Sequence, residues 1–156
     1  MRPARKPIGL QLAQAARIVS RAFDEALAAA DGSLPVWLVL LNIKARSLGN
    51  QRELADAVGI REATLTHHLN GMEASGLITR RRDPVNRRIH VVELTEAGEE
   101  AFLRLRDAAM AFDRKLRRGI SDQELADLDD VMGRLATNAD VEGGGAPWAG
   151  LAEERR

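Results

Sequence analysis

Between Ile8 and Ala30 the apolar positions Leu12, Ala15, Ala16, Val19, Phe23, Ala26 and Leu27 recur at steps of three and four residues. That spacing lays one apolar stripe along an α-helix. Asp31-Gly32-Ser33 interrupts it, and Pro35, whose fixed φ suits a first helical turn, opens a second helix through "VWLVLLNIKARS". This helix is apolar around much of its circumference and is expected at the centre of the fold. Asn50 and Glu53 have N-cap spacing in "NQRELADAVG", and the short helix they open ends at Gly59. Only "GIR" separates it from the next helix, Glu62 to Ser75. Past Gly76 the period changes: "LITRRR" and "RIHVVELT" are β-prone runs on either side of "DPVNR", whose Asp-Pro and Asn favour a turn. A two-stranded hairpin is predicted. Thr95 caps a long helix striped by Phe102, Leu105, Ala109, Phe112 and Leu116. Ser121 and Glu124 form a capping box for a last helix striped by Leu125, Leu128, Val131, Met132 and Leu135. From 139 to 156 the chain is rich in glycine and short of periodic apolar residues, which predicts a flexible tail.

Composition sharpens this picture. The 156 residues are enough for one domain, and 45% of them are hydrophobic. Aromatic residues are few, with Trp37, Trp148, Phe23, Phe102, Phe112 and no tyrosine, so the core must come from Leu, Ile, Val and Ala packed between helices. The chain has no cysteine, which excludes disulfides, thiolate zinc sites and thiol redox sensing. A cytoplasmic protein is expected. The basic start, "MRPARKPIG", leads into an amphipathic segment, so neither a signal peptide nor a membrane span is predicted.

The formal net charge is zero, but the charge is unevenly placed. Arg2, Arg5, Lys6, Arg17 and Arg21 all precede the first acid, Asp24, and Arg80, Arg81, Arg82, Arg87 and Arg88 crowd around Asp83. From Asp122 to Glu142 the chain is acidic, with Arg134 its one base. Such a segment should face away from a phosphate backbone.

A short helix, a tight turn and a second helix, followed at once by a basic hairpin, make a winged helix-turn-helix, whose second helix enters the major groove of DNA. On a wheel of about 100° per residue, Leu65, Leu69 and Met72 share one face with His68 on its flank. Ala63, His67 and Asn70 point the opposite way, with Thr64 and Thr66 beside them. Thr and Asn hydrogen-bond to base edges, and Asn pairs bidentately with adenine. The hairpin arginines would neutralise phosphates or enter the minor groove. The bland alternatives are an ordinary polar helix face and a solvated hairpin. Adjacent His67 and His68 diverge by about 100°, whereas a helix chelates an ion from positions four apart, so no metal site is predicted. Nor is there a nucleophile–base pair, an H-E-x-x-H or a phosphate-cradling loop, so neither enzymatic activity nor a cofactor is expected.

The stretch Asn50 to Glu100 resembles the core of MarR-family transcriptional regulators. The resemblance is carried by the Leu54-Ala55 pair, the threonine-rich second helix, "GLITR", the "DP-x-x-RR" wing and "LTEAG". The flanking helices match in number and order. What the resemblance implies is a mainly α fold with a small β-hairpin wing: a winged helix-turn-helix lobe, 34–95, between N- and C-terminal dimerisation helices, 8–30 and 96–138. It further implies a homodimer on a pseudo-palindromic site in double-stranded DNA, and a repressor released by a small molecule, often an anionic aromatic compound. The DNA-binding residues would be Arg61, Thr64, Thr66, His67, Asn70, Arg82, Arg87 and Arg88. Arg17, Arg21, Trp37, Asn42 and His68 are the candidates for an effector pocket. Two positions depart from the family pattern: Asn86 stands where an Asp usually precedes the wing-tip arginine, Arg88, and Arg61 replaces a Ser or Thr cap. The rival assignments are a winged-helix metal sensor, in which His67 or His68 would bind the ion, and a winged helix used for protein contact.

Overall fold

The computed structural model describes residues 6–46, 51–87 and 90–139. Six helices and one hairpin follow in the order α1 (Ile8–Ala28), α2 (Leu34–Arg46), α3 (Gln51–Val58), α4 (Glu62–Ala74), β1 (Ile78–Arg82), β2 (His90–Leu94), α5 (Glu96–Leu116) and α6 (Asp122–Asn138). The strands are antiparallel, with Ile78 opposite Leu94 and Arg82 opposite His90. The chain is therefore mainly helical with a small β-hairpin, as its hydrophobic periods predict. The cap expected at Asn50 and the tail from 140 onward lie outside the described residues.

α2 is the hub. It touches α1, α3, α4, α5 and β2, and Trp37, Leu38, Val39 and Leu40 are buried in a core shared with Leu27, Leu54, Leu65, Leu69, Met72, Ile78, Val92 and Leu105. Residues from α1 and α5 thus complete the same core as the helix-turn-helix. Asn42 is also fully buried. Its amide nitrogen donates to the Leu38 carbonyl at 2.8 Å, while its amide oxygen has no partner among the described residues.

The joint between hairpin and α5 is tightly specified. Thr95 Oγ1 accepts from the Gly98 N–H at 3.0 Å and donates to the Gly76 carbonyl at 2.5 Å. Its backbone N–H donates to the Leu77 carbonyl at 3.1 Å. One residue thus caps α5 and fastens it to the turn after α4, where Gly76 takes φ +75°. Gly98 is required for this closeness: a Cβ there would stand 3.0 Å from the Leu77 carbonyl carbon and closer still to its oxygen.

α5 crosses back over the fold, stacking Phe102 on Trp37 at 5.8 Å and Phe112 on Phe23 at 5.1 Å between ring centroids. α6 begins at the expected capping box, with the Ser121 N–H donating to Glu124 Oε2 at 2.8 Å and the Glu124 N–H donating to Ser121 Oγ at 3.3 Å. It buries no residue. Leu128, Val131 and Met132 of its stripe stay about half exposed, as do Ile8, Leu10 and Leu12 of α1, and Ile18 is 71% exposed. These apolar stripes have no cover among the described residues. Among the described residues, no helix is long and apolar enough to cross a membrane.

Candidate nucleic-acid interface

α4 is held by its inner face. Leu65 and Leu69 are fully buried and Met72 nearly so, which leaves Ala63, Thr64, His67 and Asn70 exposed on the other side. Arg61 occupies the N-cap position and, as its side chain lacks an acceptor, provides no cap bond. It is exposed at the end of the helix that carries the positive pole of the peptide dipoles. Thr66 has a different place from its neighbours. Half-buried, it donates to the Glu62 carbonyl at 2.8 Å and accepts from Gln51 Nε2 at 2.6 Å, so it braces α3 against α4. The wheel places Thr66 beside the outward face but says nothing of Gln51, which the turn between the helices brings to it.

The wing arginines divide into two kinds. Arg80 folds back on α4: Nη2 donates to Glu73 Oε2 and to Asn70 Oδ1, each at 2.6 Å, and Nε donates to Glu73 Oε2 at 3.0 Å. Arg80 also donates its backbone N–H to Glu73 Oε1 at 3.2 Å, and its side chain is only 18% exposed. Arg81 donates to the Glu93 carboxylate at 2.8 and 3.1 Å, a diagonal pair across the ladder. The hydrogen bonds from Arg80 hold the Glu73 carboxyl below the ordinary carboxylate range, and those from Arg81 do the same for Glu93. At the turn, Asp83 Oδ1 accepts from the backbone N–H groups of Asn86 and Val85, at 2.8 and 2.7 Å, which lowers its pKa as well. Arg82 and Arg87 are exposed and make no ion pair with the described residues. Arg88 lies outside the described residues. Of the clustered arginines, Arg80 and Arg81 are thus compensated by acids seven and twelve positions away, which a scan of local charge does not see.

A cavity of about 590 Å³ opens between the α1–α2 turn, α4 and α5. His67, His68 and Gly71 of α4, with Ser75 just after it, form one wall, Asp31, Gly32 and Ser33 another, and Arg104 a third. His67 and His68, with ring centroids 5.8 Å apart, both line it, although His67 is exposed on the outer side of α4 and His68 is half-buried. Exposed His67 borders the cavity and the outward face together. Of the residues expected at an effector pocket, the structure brings only His68 to this cavity. Arg17 and Arg21 are exposed on α1, about 16 and 10 Å of helix rise before Ala28 at the cavity's edge. Arg21 pairs there with Glu25 at 3.2 Å. Trp37 is buried against Phe102, and Asn42 is in the core. Arg104, Asp31, Ser33 and Ser75 have no motif that marks them in the sequence; the crossing of α5 over the α1–α2 turn assembles them. Arg104 Nε donates to the Ala30 carbonyl at 3.0 Å, fixing this crossing. Among the described residues, no three His, Asp or Glu side chains are gathered closely enough to share a metal ion.

Comparison with known proteins agrees with this architecture. The model of the MarR family matches residues 33–90, α2 through the start of β2. The uncharacterized HTH-type transcriptional regulator YdgJ of Bacillus subtilis (strain 168) is 33% identical over 89 residues, which take in 57% of this chain and 54% of YdgJ. The chain thus spans about half the length of that curated relative. Among solved structures, the transcriptional regulator PA3341 is 30% identical, with a TM-score of 0.71 over 86% of this chain and 98% of that one. The transcriptional repressor CouR, solved on a 23-mer DNA duplex, is 28% identical, with a TM-score of 0.72 over 86% of this chain and 93% of its own. CouR from Rhodococcus jostii RHA1 has also been solved with p-coumaroyl-CoA; that structure is 24% identical, with a TM-score of 0.72 over 91% of this chain and all of the other. With its winged helix matched by the family model, and a solved relative at 30% identity covered along almost its whole length, this chain belongs to the MarR family.

Proposed function

We propose that this chain is a sequence-specific DNA-binding transcriptional regulator, a repressor that binds a pseudo-palindromic operator as a homodimer and is released by a small molecule. The observation that carries the proposal is the outer face of α4. Its inner side is locked by Leu65 and Leu69, its outer side offers exposed Ala63, Thr64, His67 and Asn70, and exposed Arg82 and Arg87 stand on the adjoining hairpin. A rigid helix with small polar outward residues fits the major groove, and arginines beside it that pair with no acid among the described residues supply the sequence-independent attraction to phosphate. CouR, a relative of the same fold, has been solved on DNA, which supports this assignment.

Dimerisation accounts for the uncovered stripes of α1 and α6. The two copies of α4 would then sit about 34–36 Å apart to meet successive turns of the major groove. The cavity is our candidate effector site, because His67, His68 and Gly71 place the recognition helix itself in its wall. A ligand that fits the cavity better in one orientation of α4 shifts the dimer away from the DNA-binding spacing by linkage. A mobility-shift experiment with the DNA upstream of its own gene, at low salt, tests the core of the proposal. A discrete complex that resists competitor DNA is expected; absence of any complex with this and genomic DNA would overturn it.

A further inference from the structure

The contact between Arg80 and Asn70 fixes a chemical direction on the recognition helix. Asn70 is exposed on the outer face of α4, and its amide has one acceptor atom and one donor atom. A guanidinium has donors only, so the atom that meets Arg80 Nη2 at 2.6 Å must be the amide oxygen. The amide nitrogen takes no partner among the described residues. Arg80 is itself immobilised, because the Glu73 carboxylate accepts from its Nη2, its Nε and its backbone N–H. Burial of most of its side chain makes Arg80 poorly placed to meet a phosphate. The wing's first strand therefore holds the recognition helix by a chain of three residues, Glu73 to Arg80 to Asn70.

We propose that Arg80 is a positioning residue for base recognition: it keeps the Asn70 amide nitrogen turned toward DNA, so that α4 presents a donor there and rejects cytosine on the contacted strand. This rests on the DNA-binding function proposed above. In the major groove, purine N7, guanine O6 and thymine O4 accept hydrogen bonds, whereas cytosine offers the N4 amine, a donor. Two donors facing each other lose the bond and leave both groups unpaired. Without Arg80 the amide rotates freely about its terminal bond and presents either atom.

Selection of bound duplexes from a random pool, followed by salt titration of the best duplex, tests this. The wild-type protein should enrich a motif with one position per half-site at which cytosine is depleted about tenfold, the worth of one good base contact. Arg80→Met, which keeps the aliphatic stem, should flatten preference at that position alone and leave the slope of log affinity against log salt unchanged. Asn70→Asp keeps an oxygen for Arg80 and turns the outward atom into an acceptor, so the same position should change to favour cytosine. The inference is overturned by an Arg80→Met motif as sharp as the wild type's, by a salt slope reduced as for a lost phosphate contact, or by an Asn70→Asp motif with no gain of cytosine. Should Arg80→Met fail to fold by circular dichroism, Asn70→Asp decides alone, since its change is confined to an exposed side chain. A wild-type protein that enriches no motif removes the DNA-binding proposal along with this one, whereas a sharp motif unaffected by Arg80→Met removes only the positioning role.

Discussion

Replacing Gly98 by alanine sets two well-characterised effects against each other. In an unobstructed helix the change is favourable, by about 1 kcal/mol, because alanine has less chain entropy to lose. At Gly98 the new Cβ would lie 3.0 Å from the Leu77 carbonyl carbon and nearer to its oxygen, where ordinary contact needs at least 3.4 Å. The obstacle is backbone rather than a flexible side-chain end, so relief requires α5 to move away from the α4–β1 turn. Overpacking of this kind costs about 1–3 kcal/mol. The Thr95 N–H to Leu77 carbonyl bond at 3.1 Å would be stretched as well, a further loss of about 1 kcal/mol. The balance is a destabilisation of about 1–3 kcal/mol, which lowers the melting temperature by roughly 3–10 °C for a chain of this size. Thermal unfolding followed by circular dichroism measures it, at fixed protein concentration because the Tm of the proposed dimer would depend on concentration. Gly71→Ala is the control: nothing lies within 4 Å of its Cβ position, so the same substitution within α4 should raise the Tm. A Gly98→Ala protein that melts at or above the wild-type temperature would refute the steric reasoning.

Other expectations follow from the same geometry. Arg82→Ala and Arg87→Ala should each weaken DNA binding across all sequences and reduce the salt slope by about 0.9; an unchanged slope in a fluorescence titration would mean that the residue meets no phosphate. Leu128→Asp combined with Met132→Asp, on the exposed stripe of α6, should convert the proposed dimer to monomer in sedimentation equilibrium without unfolding the core, and a dimer that persists would place the interface elsewhere. Glu73 and Glu93 have folded pKa values lowered from 4.5 by Arg80 and Arg81 respectively. Their contribution to stability is therefore complete above pH 4.5 and fades as pH falls through the lower folded values. Hydrogen exchange should show the hairpin losing protection on acidification in that range before the helical core does, and Glu73→Gln should remove part of the dependence; a hairpin that opens only together with the core would contradict it.

Much of this fold is legible in the chain because its signals are local. The capping pairs Thr95–Gly98 and Ser121–Glu124 span three residues each, and the stripe Leu65, Leu69, Met72 needs only the helical period to define an inner face. The candidate interface is legible in the same way at Asn70, His67 and Thr64, which follow from that face by elimination. Thr66 is misplaced by such logic, because its hydroxyl is engaged by Gln51, fifteen residues earlier. The arginine cluster looks uniformly basic because Glu73 and Glu93 lie on other elements, and only the return of the hairpin against α4 and across its own ladder brings them near. Of the effector candidates only His68 reaches the cavity, since a cavity is the space that helices leave when they cross, and no periodicity encodes it.

The sequence by itself determined the order and type of the elements, the inner face of the recognition helix and the winged helix-turn-helix that they form, since hydrophobic period, capping and turn chemistry act over a few residues. Only the tertiary structure decided which wing arginines are tied to acids, which way the Asn70 amide is turned and which side chains surround the cavity. Those properties depend on distances of about 3 Å between residues on different elements, and packing alone sets them.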